Sequence, residues 1–191
     1  MRMTSTASIA TARLLLRPWQ PRDLASFAAM NADPTVMRYF PAPMTLAETE
    51  AAMARYNAQL ARDGFTMFAC EARGNGDPDK TTGELLGILG AQTMRFAVPN
   101  LPQPAVEIGW RLATHAQGKG LATEGANAIL NFLRETTSLT EVVAITAVAN
   151  QASRRVMEKL GMTYAPELTF EHPNIPQDSP VRRTVLYRRS L

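Results

Sequence analysis

One cysteine, Cys70, stands alone among 191 residues, which excludes an internal disulfide and the redox chemistry of paired thiols. Only two histidines, His115 and His172, accompany it, too few for a zinc cage, so no metal is expected. No charge-free apolar stretch approaches the roughly 20 residues of a membrane span, and Met1 to Ala12 lacks the apolar core of a secretory signal. The chain therefore reads as soluble and cytoplasmic, with no membrane partner. Excess charge is also scarce: the net value is +3, although Arg182, Arg183, Arg188 and Arg189 crowd the last ten positions. That balance falls short of the dense basic face that nucleic acid requires and suits an anionic ligand or a solvated terminal strand.

What is present is the composition of an ordinary globular protein, 46% apolar and 19% charged with 13 prolines and 11 glycines dispersed, which excludes wholesale disorder, collagen and coiled coil. The length predicts a single domain over 1–191. Alternation from Ala12 to Arg17 predicts a strand ending at Pro18, and Leu24, Phe27 and Met30 carry a helical period. Asn31 to Pro43, with its three prolines, is expected to be loop. Thr45 with Glu48 forms a capping box for an amphipathic helix to about Ala61. Phe65 to Ala72 and Glu84 to Thr93 predict a hairpin across the turn-forming cluster Gly74 to Asp79, with Cys70 a buried apolar residue rather than a nucleophile.

Further strands are predicted over Ala105 to Leu112, Val142 to Val148, Met162 to Phe170 and Val181 to Arg189, the last after a polar loop. Helices are predicted from about Gly120 to Arg134 and from Asn150 to Leu160, the second stopped by Gly161. The order β-α-α-β-β-β-α-β-α-β-β indicates an α+β or α/β fold around one central sheet.

Chemistry concentrates where the strand Glu107 to Leu112 runs through Gln117-Gly118-Lys119-Gly120 into a helix. Such a turn aims free backbone amides and the positive end of a helix dipole at one spot, a site for phosphate or pyrophosphate. It is neither a Walker loop nor the three-glycine dinucleotide fingerprint. A plain tight turn would produce the same two glycines.

Gln117-x-x-Gly120-x-Ala122 resembles the Gln/Arg-x-x-Gly-x-Gly/Ala signature of the GNAT N-acetyltransferase superfamily, in the same strand-to-helix context. Asn150-Gln151-Ala152-Ser153, closed by Glu158-Lys159-Leu160-Gly161-Met162, is similar to its second signature. Arg13 to Trp19 with Asp23-Leu24 resembles the opening of the branch that includes the ribosomal-protein N-terminal acetyltransferases. The resemblance implies the GNAT fold, with a mixed, mostly antiparallel sheet flanked by helices. It also implies acetyl-CoA as cosubstrate, no metal, and acetyl transfer to a primary amine, either a peptide N-terminus or a small molecule, in a ternary complex. A non-catalytic acyl-CoA sensor and an enzyme using a larger acyl donor are the alternatives, and a homodimer is compatible with this branch.

By the family pattern, Gln117, Gly118, Lys119, Gly120, Leu121, Ala122 and Thr123 would surround the pyrophosphate. The backbone of Trp110, Arg111 and Leu112 would pair with the pantetheine arm, and Asn150 and Ser153 would meet its thioester end. Asn150 can equally be a plain helix cap. An amine arrives protonated and needs a base. Glu107 is the candidate, with a salt bridge to Arg111 or an amine-binding anion as its other roles. Many relatives place a tyrosine acid where Met157 stands here, which leaves Ser153 as the candidate donor to the departing thiolate. Glu124, in the first turn of its helix, reads as dipole-stabilising or solvent-facing. For the acceptor, the resemblance points to Tyr39 and Phe40 on the loop after the first helix and to Glu171 on the loop before the last strand.

Overall fold

The computed structural model describes residues 8–74 and 81–191, so most of the predicted hairpin turn, from Asn75 to Asp79, lies outside the described residues. A short strand β1 (Ile9–Ala10) precedes β2 (Leu14–Arg17), followed by α1 (Leu24–Ala32), α2 (Pro34–Met37) and α3 (Leu46–Asp63). Then come β3 (Met67–Arg73), β4 (Thr81–Thr93), β5 (Val106–Leu112), α4 (Leu121–Thr136), β6 (Glu141–Ala147) and α5 (Gln151–Lys159). Two short strands, β7 (Thr163–Tyr164) and β8 (Phe170–Glu171), lead to β9 (Arg183–Ser190).

One sheet results, ordered β1-β2-β3-β4-β5-β6-β9-β7 with β8 also on β9, and every pairing is antiparallel except β5 with β6. This is the mixed, mostly antiparallel sheet that the resemblance implied. Alternation along β3 shows how helices cover both faces. Phe68 and Cys70 pack with Leu89, Ile129, Leu130 and Leu133 on the α4 side, while Met67 and Ala69 pack with Phe27, Met53 and Ile88 under α1 and α3.

Local chemistry sets the helix starts. Thr45 and Glu48 form the predicted box, the threonine hydroxyl accepting from the Glu48 N–H at 3.2 Å and the carboxylate accepting from the Thr45 N–H at 2.7 Å. Two expectations need correction. The segment Asn31 to Pro43 is not all loop: Pro34 opens α2, whose cap Asp33 accepts from the Thr35 N–H at 2.7 Å, because proline suits a first helical turn as well as a loop. Met162 to Phe170 is not one strand, because Pro166 starts a 3-10 turn over Pro166–Leu168 that splits it into β7 and β8.

A buried ion cluster ties β2, the turn before α1 and β3 together. Arg17 donates to Glu71 at 2.6 Å and to both oxygens of Asp23 at 2.7 and 2.8 Å. The three residues are 5%, 0% and 3% exposed for Arg17, Glu71 and Asp23, so each charge depends on its partners in place of water. The terminal arginines are likewise engaged within the fold. Arg188 makes two bonds to Glu141 at 2.8 and 2.9 Å, Arg189 bonds the Leu160 carbonyl, and Arg182 donates to the Ile175 carbonyl at 2.8 Å. Replacing Arg17 by Met strands the Asp23 carboxylate in the interior, and denaturant unfolding should show a loss of about 3–5 kcal/mol.

Candidate active site

β5 and β6 run parallel, and their register contains one pair, Glu107 with Val143. Beyond it each strand stays with its outer neighbour, β5 with β4 and β6 with β9, while the inner edges diverge. Because the strands are parallel, their diverging ends are both carboxyl ends. The turn into α4 and the cap of α5 therefore open onto the same cleft, the position where open sheets bind ligands.

Two cavities occupy the cleft, of about 290 and about 310 Å³. The larger is lined by Leu112, Gln117, Gly118, Gly120, Leu121, Ala122 and Thr123. Gly118 and Gly120 lie in the left-handed region at φ 72° and 78°, which turns the chain so that the first amides of α4 face the cavity. Gln117 donates to the Leu112 carbonyl at 2.9 Å and closes the loop on the end of β5. Arg38, Arg111, Arg155 and Lys159 line this cavity and, among the described residues, no carboxylate does, so it presents positive charge to an anion.

Arg13 braces the loop from outside, donating to the Lys119 carbonyl at 3.0 Å and pairing with Glu124 at 2.6 Å. Burial alone would raise the Glu124 carboxyl. The hydrogen bonds from Thr11 and Arg13 outweigh it and hold the group below the usual carboxylate range. Glu124 is thus an ion-pair partner, and Lys119 does not line either cavity.

The smaller cavity reaches the α1 and α3 side of the sheet and contains Glu107, Gln92, Thr146, Met157 and His172. Burial pushes the Glu107 carboxyl up to about 7, against the lowering effect of Gln92, its cross-strand partner, whose Nε2 donates at 3.3 Å. Among the described residues no ion pair joins Glu107 to Arg111, four positions on and on the same strand face. His172 is held below the usual imidazole range, first by burial and then by Arg182, and its Nδ1 accepts from the Asn174 N–H at 3.2 Å. Cys70 is no competitor as a nucleophile: it is fully buried, and burial pushes its thiol up to about 12.

Six residues line both cavities: Tyr39, Phe40, Trp110, Arg111, Asn150 and Ser153. Asn150 caps α5, its carbonyl oxygen accepting from the Ser153 N–H at 3.2 Å, while its amide donates to Thr146 at 2.9 Å and to Ser153 Oγ at 3.1 Å. Both amide hydrogens are therefore engaged, and a ligand can still approach only the oxygen. Ser153 Oγ accepts from Asn150, which leaves its own O–H to donate into the cleft.

Of the sequence-predicted residues, Glu171 stands apart. It lines neither cavity and faces Arg182 at 3.4 Å, and its neighbour His172 forms the wall instead. Gln92 and Thr146 are the residues that sequence reasoning missed. Neither belongs to a motif: the strand register places Gln92 beside Glu107, and the turn from β6 into α5 brings Thr146 to Asn150, four residues on.

A family model for an acetyltransferase (GNAT) domain matches residues 13–163. The chain is 30% identical over 165 residues to the uncharacterized protein YkkB of Bacillus subtilis, covering 85% of this chain and 89% of that one. It is also 30% identical over 156 residues to an uncharacterized N-acetyltransferase of the same species, YnaD, covering 81% of each. Among solved structures, an acetyltransferase from Agrobacterium tumefaciens is similar at TM-score 0.74 and 24% identity, covering 99% of this chain and 97% of that one. RimL, a ribosomal alpha-N-protein acetyltransferase in complex with coenzyme A, is similar at TM-score 0.73 and 16% identity, covering 97% of this chain and 98% of that one. Among the described residues there is no cluster of histidine, cysteine and carboxylate side chains that could hold a metal, and no helix is long and apolar enough to cross a membrane. The match begins just before β2 and runs to the start of β7, taking in the splayed strands and both helices that open on the cleft, and the chain belongs to the GNAT acetyltransferase family.

Proposed function

We propose that the protein transfers the acetyl group of acetyl-CoA to a primary amine, by direct attack while both substrates are bound. The observation that carries this reading is the meeting of the two cavities along six shared residues, one cavity cationic and opened by a helix N-terminus, the other containing a carboxyl pushed up to about 7. The cationic cavity would take the cosubstrate, with pyrophosphate on the amides of Gly118 to Thr123. The pantetheine arm would lie along the inner edge of β5 at Trp110 to Leu112, whose inward backbone groups lack a strand partner among the described residues. That RimL was solved with coenzyme A supports the same assignment.

In this reading Glu107 takes the proton of the incoming ammonium, directly or through water, and the freed lone pair attacks the thioester carbonyl carbon. The carbon–sulfur bond then breaks, and the second proton of the attacking nitrogen passes to the departing thiolate by way of the Ser153 hydroxyl, which donates its own proton and takes up that one; its O–H is the group left free by the Asn150 network. A carboxyl near 7 is well matched to this task at physiological pH, where half or more of it is ionised and it still has affinity for a proton. Met157 is apolar, 1% exposed and lines the acceptor cavity, so it contributes packing and no proton.

Release of free thiol from acetyl-CoA against a panel of peptides, amino acids, aminoglycosides and polyamines tests the reading. Silence across the panel, with calorimetric binding of acetyl-CoA intact, would favour a sensor instead. Glu107→Gln should lower kcat/KM about 100-fold at pH 8 and remove the fall in rate as pH drops through about 7. The same variant has a readout independent of turnover. A carboxyl raised above its unfolded value binds its proton more tightly when folded, so it costs stability as pH rises from the ordinary carboxylate range through about 7. Thermal melts should therefore show Glu107→Gln above the parent at pH 8 and level with it near pH 4, where both forms are largely neutral. Ser153→Ala should reduce kcat about tenfold, about 1.4 kcal/mol in the barrier, with little change in KM for the amine.

A further inference from the structure

Among the described residues, Arg111 is a cation without an acidic partner. Its guanidinium lies 4.9 Å from the centre of the Phe40 ring and 5.7 Å from that of Phe27, and among the described residues its one hydrogen bond to a side chain runs to the Met37 sulfur at 3.2 Å. Its Nε is buried with no hydrogen-bond partner among the described residues. Aromatic faces and a thioether offset only part of the cost of removing a guanidinium from water, and a carboxylate or phosphate would offset far more. Every other arginine cited above as buried or half-buried has an oxygen partner.

The surroundings indicate which anion. Arg111 shares a strand face with Glu107 and Gly109 and reaches α1 and α2 through Phe27 and Met37, at the seam where the two cavities meet. Among the residues lining the acceptor cavity, Glu107 is the one carboxylate and Arg111 the one guanidinium, with His172 held toward its neutral form. The two are four residues apart, roughly 13 Å between Cα atoms at the usual strand rise. Gly109 lies between them without a side chain of its own, and the Met67 thioether borders the space there, 3.4 Å from where a Cβ would stand.

We propose that the acceptor is a zwitterion, a free amino acid or short peptide that presents its amine toward Glu107 and its carboxylate to the guanidinium of Arg111. This rests on the transferase reading above and names the substrate class of that site. A polyamine would leave Arg111 facing a second cation, and a plain amine would leave its Nε unpartnered. The two sources of a suitable anion, the acceptor's carboxylate and a phosphate of coenzyme A, are separated by experiment.

Matched pairs of amino acids and dipeptides, each as free acid and as carboxamide, should be offered with acetyl-CoA. The free acids should exceed their amides about 100-fold in kcat/KM, and Arg111→Gln should collapse that ratio to within about threefold, with Arg111→Lys intermediate because it keeps the charge and loses the fork. Thermal melts and calorimetric binding of acetyl-CoA establish that each variant is folded and loaded. Turnover of amides and acids alike by the parent would overturn the proposal while leaving the transferase reading intact. A loss of acetyl-CoA affinity in Arg111→Gln with the acid preference retained would assign the guanidinium to coenzyme A and overturn it as well. If no amine is acetylated, the transferase reading fails. Calorimetry of the same acids on the acetyl-CoA-loaded protein then decides: binding to the parent and not to Arg111→Gln upholds the carboxylate site, and no binding to the parent ends it.

Discussion

The rest of the molecule depends on one contact between parallel strands, Glu107 of β5 against Val143 of β6. Up to that point the sheet is continuous, and past it the two strands separate while each holds its outer antiparallel neighbour. Strand pairing normally satisfies backbone groups on both edges, so parting two strands leaves amides and carbonyls that must find another partner. A ligand with an extended, amide-bearing arm is such a partner, and the parallel direction of the pair brings the start of α4 and the cap of α5 to the same opening. The residue at the branching point is also the carboxyl that the cleft desolvates. Its position and its raised proton affinity therefore have one origin.

The two cavities differ in charge for reasons that lie in different parts of the chain. On the α4 side, left-handed glycines, helix amides and basic side chains from α5 and from the segment after α2 accumulate positive potential, with no carboxylate among the described lining residues to cancel it. Glu124, in the first turn of α4, is paired with Arg13, and the pair holds the loop in place. On the α1 and α3 side, apolar packing dominates, and burial shifts Glu107, Arg111 and His172 toward their neutral forms. Asn150 joins the two sides. It caps α5 and fixes the Ser153 hydroxyl in one network, so the helix start and the orientation of the candidate donor are secured by the same side chain.

The sequence by itself determined the features whose causes are local. The Thr45 and Glu48 box, the alternation of Met67 to Cys70 between two faces, the glycine turn ahead of α4 and the Asn150 cap act over a few residues, and each is where its residues predict. Proline misled twice, at Pro34 and Pro166, because its fixed φ and missing N–H suit a loop, the first turn of a helix and a 3-10 turn equally, and neighbouring packing chooses among them. What only the tertiary structure decided are the relations between distant segments. The Arg17, Asp23 and Glu71 cluster joins positions 54 residues apart. Gln92 reaches Glu107 through strand register, Glu171 turns toward Arg182 while His172 takes the wall, and Arg111 comes to lie near two aromatic rings with no acid beside it among the described residues. Propensity and periodicity carry information along the chain, whereas desolvation and charge pairing depend on what the fold brings within a few ångströms, so the elements were legible in the sequence and the electrostatics of the cleft were not.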